Sequence, residues 1–194
     1  VYSVLAHKRV GENGAVWAFE PSSESYQRLL KNISLNGCSK VRPFQVALSD
    51  RSDSLILRSD PGFGDAYRYL SQNANGSGGE VVPVMPLDLF ASQNGISRVD
   101  YMKVDVEGGE QRVFAGSREL LASSPNIVVM FENEPEWCAR AGCRQEDTFA
   151  LFTDLGFGLF TWDKRRRKWI DDESSVLASS TVWASRNPKA LPIL

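Results

Sequence analysis

Histidine is nearly absent from this sequence and cysteine is scarce: 194 residues hold one His and three Cys. His7, Cys38, Cys138 and Cys143 are too few and too scattered for a structural zinc site. An odd, sparse cysteine set also argues against a disulfide framework and for a reducing compartment, so a cytoplasmic location is expected. Long apolar runs are lacking as well. Strings such as Ile127 to Phe131 fall far below the ~20 residues of a spanning helix, and no basic segment followed by an apolar run marks a signal peptide. No membrane association is expected. The chain opens on Val1 rather than Met, which leads us to expect that its natural start lies upstream. Neither charge sign dominates, because 22 Lys and Arg against 24 Asp and Glu leave a net charge of -2, so no global field recruits nucleic acid. With 42% hydrophobic and 24% charged residues and no internal repeat, residues 1–194 read as one folded domain with a real core.

What is present is an alternation of strand-like and helix-like segments. Val16 to Phe19 is a short apolar run after the turn at Gly11 to Gly14, stopped by Glu20-Pro21. Ser22 can cap a helix whose Tyr26, Leu29, Leu30 and Ile33 follow helical spacing and which ends at Asn36-Gly37. Val41 to Leu48 is the next extended run, and its Pro43 favours an edge or strand-start position. Leu55 to Leu57 and Val81 to Val84 suggest an added hairpin, so residues 51–86 read as an inserted hairpin and loop. A helix is expected around Leu87 to Gln93, a strand over Tyr101 to Val106, and a helix carrying Val113, Phe114, Leu120 and Leu121. A buried strand at Ile127 to Phe131 and a helix from Arg144 to Leu155 follow. Phe157 to Trp162 and Thr181 to Ser185, with no helix expected between them, should pair antiparallel. The pattern predicts an α/β protein with a doubly wound, Rossmann-like, mostly parallel sheet and an antiparallel C-terminal edge strand.

Ligands of such sheets bind beyond the carboxyl ends of the strands. Three acidic positions fall there: Glu20, the Asp105/Glu107 pair, and Glu132. Glu20 can accept both hydroxyls of a ribose, or simply be a solvated strand end or helix cap. Lys103, Asp105 and Glu107 alternate in an apolar strand, which would put them on one side. Charges there either pair with one another or face a cleft with a polar ligand. Gly108 and Gly109 permit a tight entry into the helix that Glu110 begins.

The strings Val16-Trp17-Ala18-Phe19-Glu20-Pro21, Leu29 through Asn32, Asn36-Gly37, Ala47-Leu48-Ser49-Asp50 and above all Asp100 through Glu110 resemble the FkbM family of S-adenosylmethionine-dependent methyltransferases. The resemblance covers about Val1 to Glu132. It implies a class I methyltransferase fold, S-adenosyl-L-methionine as cofactor, and O-methylation of a small-molecule or glycan hydroxyl. It also implies that the family's first strand and glycine-rich loop lie before Val1-Tyr2-Ser3, so the single domain 1–194 lacks them. Carried over, Glu20 with Pro21 holds the adenosine ribose, Ser49 and Asp50 lie against adenine, Tyr2 and Ser3 follow the cofactor loop, and Asp105 borders the transferable methyl group. A carboxylate within reach of the acceptor hydroxyl is the natural base, so Asp105 is the first catalytic candidate, Glu107 the second, with Lys103 beside them. A hard cation on Asp105 and Glu132 is an alternative use of these acids, although no dedicated metal site is expected.

A different reading is a non-catalytic α/β binding module that has lost its cofactor loop. His7 and the two C-terminal cysteines read as structural, and Lys164 to Lys168 as a solvated hairpin tip. Ser59 to Glu80 reads as a long loop, with hinges at Gly62, Gly64, Gly76, Gly78 and Gly79 and an aromatic and cationic surface of Phe63, Tyr67, Arg68 and Tyr69, suited to a substrate lid. Nothing in the residues chooses the acceptor, and the oligomeric state stays open, a homodimer included.

Overall fold

The structure is a computed structural model that describes residues 1–60, 64–71 and 78–192, and only the backbone of 60 and 64–67. Its N-terminal part runs α1 (Tyr2–Arg9), β1 (Val16–Phe19), α2 (Ser23–Leu35) and β2 (Val41–Phe44). The β-branched and aromatic residues of β1 pair parallel with β2, from Val16↔Val41 to Phe19↔Phe44. Ser22 has φ -67° and ψ 126°, and its Oγ accepts the Ser25 N–H at 3.4 Å, so α2 is capped where its sequence predicts. The helix is released at Gly37, whose φ of +60° is left-handed.

A four-stranded sheet follows, in the segment read above as an insertion: β3 (Ala47–Leu48), β4 (Asp53–Asp60), β5 (Gly64–Ser71) and β6 (Glu80–Met85), in the spatial order β3-β6-β4-β5. The strands expected at Leu55 to Leu57 and Val81 to Val84 pair antiparallel, Leu55 of β4 facing Val82 of β6. Two expectations change. Val41 to Leu48 is not one strand; it breaks at Gln45, and β3 joins the insertion by pairing parallel with β6. Nor is Ser59 to Glu80 one structureless loop, because β5 zips antiparallel along β4 from Ile56↔Ser71 to Asp60↔Gly64. Gly62, Phe63 and Gly76 of the expected lid lie outside the described residues, as does the Tyr67 side chain.

The C-terminal part holds α3 (Leu87–Gln93), β7 (Tyr101–Val104), α4 (Glu110–Ala115), α5 (Arg118–Ser123), β8 (Val128–Glu132), α6 (Pro135–Arg140), α7 (Gln145–Asp154), β9 (Gly158–Asp163), β10 (Lys168–Ile170), α8 (Glu173–Leu177) and β11 (Thr181–Ser185). Its sheet has the order β10-β9-β11-β8-β7. Only β7 and β8 pair parallel in it, while β11 runs antiparallel to both β8 and β9. The fold is therefore mixed α/β, and within this sheet the expectation of mostly parallel pairing is corrected. The expected closing strands do pair antiparallel, but β10 and α8 intervene, and β11 sits between β8 and β9 while β10 forms the edge. Lys164 to Arg167 are the turn between β9 and β10. The single helix expected after Gly109 is two helices. At Gly116 the backbone passes so close to the Ser49 carbonyl that a Cβ would overlap it.

Phe114, Phe131 and Phe152 are fully buried and form the aromatic centre, with ring centroids 4.7 to 5.4 Å apart. Phe90 of α3 carries this core across to β1 and β2 through edge-on contacts with Phe19 at 4.8 Å and Phe44 at 4.7 Å. Asp88 ties α3 to α5, its carboxylate accepting the Glu119 N–H at 3.0 Å and the Leu120 N–H at 2.9 Å. Asp88→Ala should leave both donors without that cap, and a loss of about 1 to 2 kcal/mol in urea unfolding is expected. Among the described residues, β1 pairs only with β2, and β7 only with β8, so each keeps one open edge. The helix α1 bridges them, packing on β1 and laying the Tyr2 ring 4.4 Å from Lys103 Nζ of β7.

Candidate active site

Because β7 and β8 run parallel, both deliver their carboxyl ends to the same side of the sheet. Lys103 lies within β7, Asp105 just after it, and Glu132 closes β8. Lys103 Nζ donates to Asp105 Oδ2, so the expected ion pair forms. It does not consume the cluster: one carboxylate oxygen each from Asp105, Glu107 and Glu132 lie within 4.8 Å of one another. At that spacing three full negative charges repel, and a shared proton or a bound hard cation relieves them. Burial pushes the Glu107 carboxyl up to about 7, reinforced by the charges of Asp105 and Glu110 and opposed by Lys103. Glu132 is likewise raised to about 7, first by burial and then by Asp105.

The loop that brings Glu107 into this group is strained. The strand stops at Val104, so strict alternation does not place Glu107; a left-handed turn does, with φ +53° at Glu107 and +95° at Gly108. A Cβ on Gly108 would overlap the Trp137 carbonyl oxygen, which explains the glycine. Glu110, 3% exposed, holds the turn by accepting the Val106 N–H at 3.0 Å. Burial raises its carboxyl too, partly offset by these backbone hydrogen bonds. A carboxylate at the first position of a helix, able to reach back to a preceding N–H, is the local signal for this role.

Glu20 closes β1, with Oε1 accepting the Ser22 N–H at 3.0 Å. Its carboxyl is raised by burial, an effect opposed by that hydrogen bond and by Arg68. Among the described residues no hydrogen bond is made to Oε2, an acceptor free for a ligand hydroxyl. Pro21 is half-buried beside it. Ser49 is buried, bonded through its Oγ to Asp50 Oδ1 at 3.0 Å and through its N–H to the Met85 carbonyl at 3.0 Å, so the Ser49-Asp50 turn is fixed between the two halves. Tyr2 and Ser3 open α1, and Tyr2 reaches the acidic group through Lys103. A cavity of about 600 Å³ lies between the start of α2 and the insertion, lined by Ser23, Glu24, Arg58, Arg68, Tyr69 and Glu80 among others. Arg68 is expected from the sequence only on a substrate lid, and Glu80 not as a site neighbour, since nothing local in sequence announces a contact across more than forty residues. Cys38, Cys138 and Cys143 are free and buried, and burial pushes the Cys138 thiol up to about 11, which leaves it a poor nucleophile.

A mixed α/β chain with carboxylates gathered at the ends of parallel strands is the class of protein seen here. The Methyltransferase FkbM domain model matches residues 1–157, and the chain belongs to that methyltransferase family. It is 26% identical over 133 residues to the 2-O-methyltransferase NoeI of Sinorhizobium fredii, a match covering 61% of this chain and 54% of NoeI. It is also 26% identical over 204 residues to the methyltransferase sdnD of Sordaria araneosa, covering 90% of this chain and 75% of sdnD. The chain thus spans about half the length of the first of these relatives and three quarters of the second. Among solved structures it is similar to the methyltransferase FkbM from Methylobacillus flagellatus, with a TM-score of 0.48 and 13% identity, over 88% of this chain and 36% of that one. No helix among the described residues is long and apolar enough to cross a membrane.

Proposed function

We propose that the protein is an S-adenosylmethionine-dependent O-methyltransferase acting on a hydroxyl of a small molecule or glycan. The observation that carries this reading is the cluster of Asp105, Glu107 and Glu132 at the carboxyl ends of β7 and β8 in a chain of this family. NoeI, named a 2-O-methyltransferase, supports oxygen as the accepting atom.

Glu20 has the shape the cofactor needs: a strand-end carboxylate with one oxygen fixed by Ser22 and the other free to accept from ribose. Ser49 and Asp50 would lie along the adenine, and Tyr2 and Ser3 would flank the methionine end. When bound, S-adenosylmethionine supplies an electrophilic methyl group. The chain itself must then remove the hydroxyl proton as the acceptor oxygen attacks. Asp105 takes that proton. Lys103 orients the Asp105 carboxylate, while Glu107 and Glu132, near 7, can pass the proton on at neutral pH.

The free, buried thiols support a cytoplasmic location. The test is calorimetric titration of the full-length protein with S-adenosylhomocysteine. Glu20→Ala should weaken binding by about 1.5 to 3 kcal/mol, the range of a hydrogen bond to a charged group, with the melting temperature unchanged. Equal affinity would remove Glu20 from the cofactor site, and no binding by the wild-type protein would favour a non-catalytic module.

A further inference from the structure

The insertion is anchored to the loop that carries Glu20. From β5, Arg68 donates through Nη1 to Ser22 Oγ, and through Nη2 to Glu24 Oε2 at 2.8 Å. From β6, Glu80 accepts the Ser23 N–H at 3.1 Å and the Ser23 hydroxyl. Gln45 Nε2 adds a bond to the same hydroxyl at 2.8 Å. Ser22 is 1% exposed, and the Arg68 side chain 19%, so the Arg68–Ser22 contact is sheltered from the screening that weakens surface ion pairs. Ser22 is also the residue whose N–H fixes Glu20 Oε1 and whose Oγ caps α2. One short chain of contacts, Arg68 to Ser22 to Glu20, therefore runs from an inserted strand into the first half of the fold.

We propose that Arg68 is a positioning residue for Glu20, so that the insertion sets cofactor affinity by holding the ribose-binding loop. The proposal rests on the reading of Glu20 as the ribose acid. It differs from the expected substrate lid in acting on the cofactor side of the site rather than on the acceptor. The guanidinium orients the Ser22 backbone so that its N–H meets Oε1, and its positive charge favours the ionised carboxylate. The charged groups facing Glu20 are Arg68 from β5 and Glu80 from β6, with opposite effects. Glu24, 53% exposed, holds the outer face of Arg68.

Binding of S-adenosylhomocysteine to the full-length protein, followed by calorimetry against pH, tests this. Arg68→Met should weaken binding about tenfold, on the order of one charge-assisted hydrogen bond, and Arg68→Lys should recover part of the loss. The acidic limb of the affinity profile should move to higher pH in Arg68→Met, because Glu20 loses its cation. In a Glu20→Gln background, Arg68→Met should add little further loss. Full additivity, or an Arg68→Met protein with wild-type affinity and an unmoved pH limb, overturns the proposal. Should Arg68→Met fail to fold, Glu24→Gln takes its place: a few-fold weakening that vanishes in the Glu20→Gln background supports the proposal, and wild-type affinity overturns it. If Glu20→Gln alone binds as wild type while Arg68→Met weakens binding, the ribose reading of Glu20 fails and Arg68 does not act through it.

Discussion

Asp105→Asn is expected to lower turnover of the acceptor by about 10²-fold or more, with S-adenosylhomocysteine affinity within about twofold of wild type. The amide has nearly the shape of the carboxylate and can still accept from Lys103, so the loss would be chemical rather than structural. What it removes is the group proposed above to take the hydroxyl proton. Two controls separate the roles open to this acid. Lys103→Met should cost less than Asp105→Asn, since Lys103 only orients the carboxylate with which it pairs. A chelator should leave the wild-type protein active if Asp105 works as a base, whereas activity lost on chelation and restored by a divalent ion would assign the three carboxylates to a cation instead. Activity unchanged by both the substitution and the chelator would take Asp105 out of the reaction.

The parts of this site differ in how far the sequence announced them. The β1–turn–α2 unit was legible residue by residue, because the apolar run, the Ser22 cap and the Gly37 stop are local signals decided within a few residues. Asp105 and Glu132 were legible as acids ending apolar strands. Glu107 lies beside Asp105 for a reason that alternation along a strand does not supply: the strand ends at Val104 and a left-handed turn does the placing. The insertion was legible as β4 and β6, whose apolar positions alternate, and not as β5. That strand, GDAYRYLS, is polar and glycine-led, and its pairing with β4 is settled by tertiary contact rather than by pattern. For the same reason Arg68 reads in the sequence as part of a substrate lid, although it reaches Ser22 across forty-six positions. The helix α6 was missed because its six residues, opened by Pro135, are too short to show a period.

Glu132→Gln should make the protein more stable at pH 8 while it impairs turnover. Glu107 and Glu132 are both raised to about 7, chiefly by burial and by neighbouring negative charge. An acid whose folded-state value lies above its unfolded value binds more protons folded than unfolded between the two. Each group therefore opposes folding progressively as the pH climbs from about 4.5 through about 7, and by its full amount above that. Both groups are only partly buried, so solvent screening cuts the contribution to about 1 kcal/mol each. With no divalent ion added, the wild-type melting temperature is thus expected to fall between pH 5.5 and pH 8. Glu132→Gln should flatten this slope and raise the melting temperature at pH 8 by a few degrees, about what 1 kcal/mol produces in a chain of this size. The difference should shrink as the pH falls, and the two proteins should melt together only below about pH 4.5, where the carboxyl is protonated in the folded and unfolded wild type alike. The cost of holding three acids in contact would then be a property of the site rather than of the fold, as expected where function is set against stability. A melting temperature that rises from pH 5.5 to pH 8, or a variant no more stable than wild type at pH 8, would mean that the carboxylates are not held in the repulsive arrangement described.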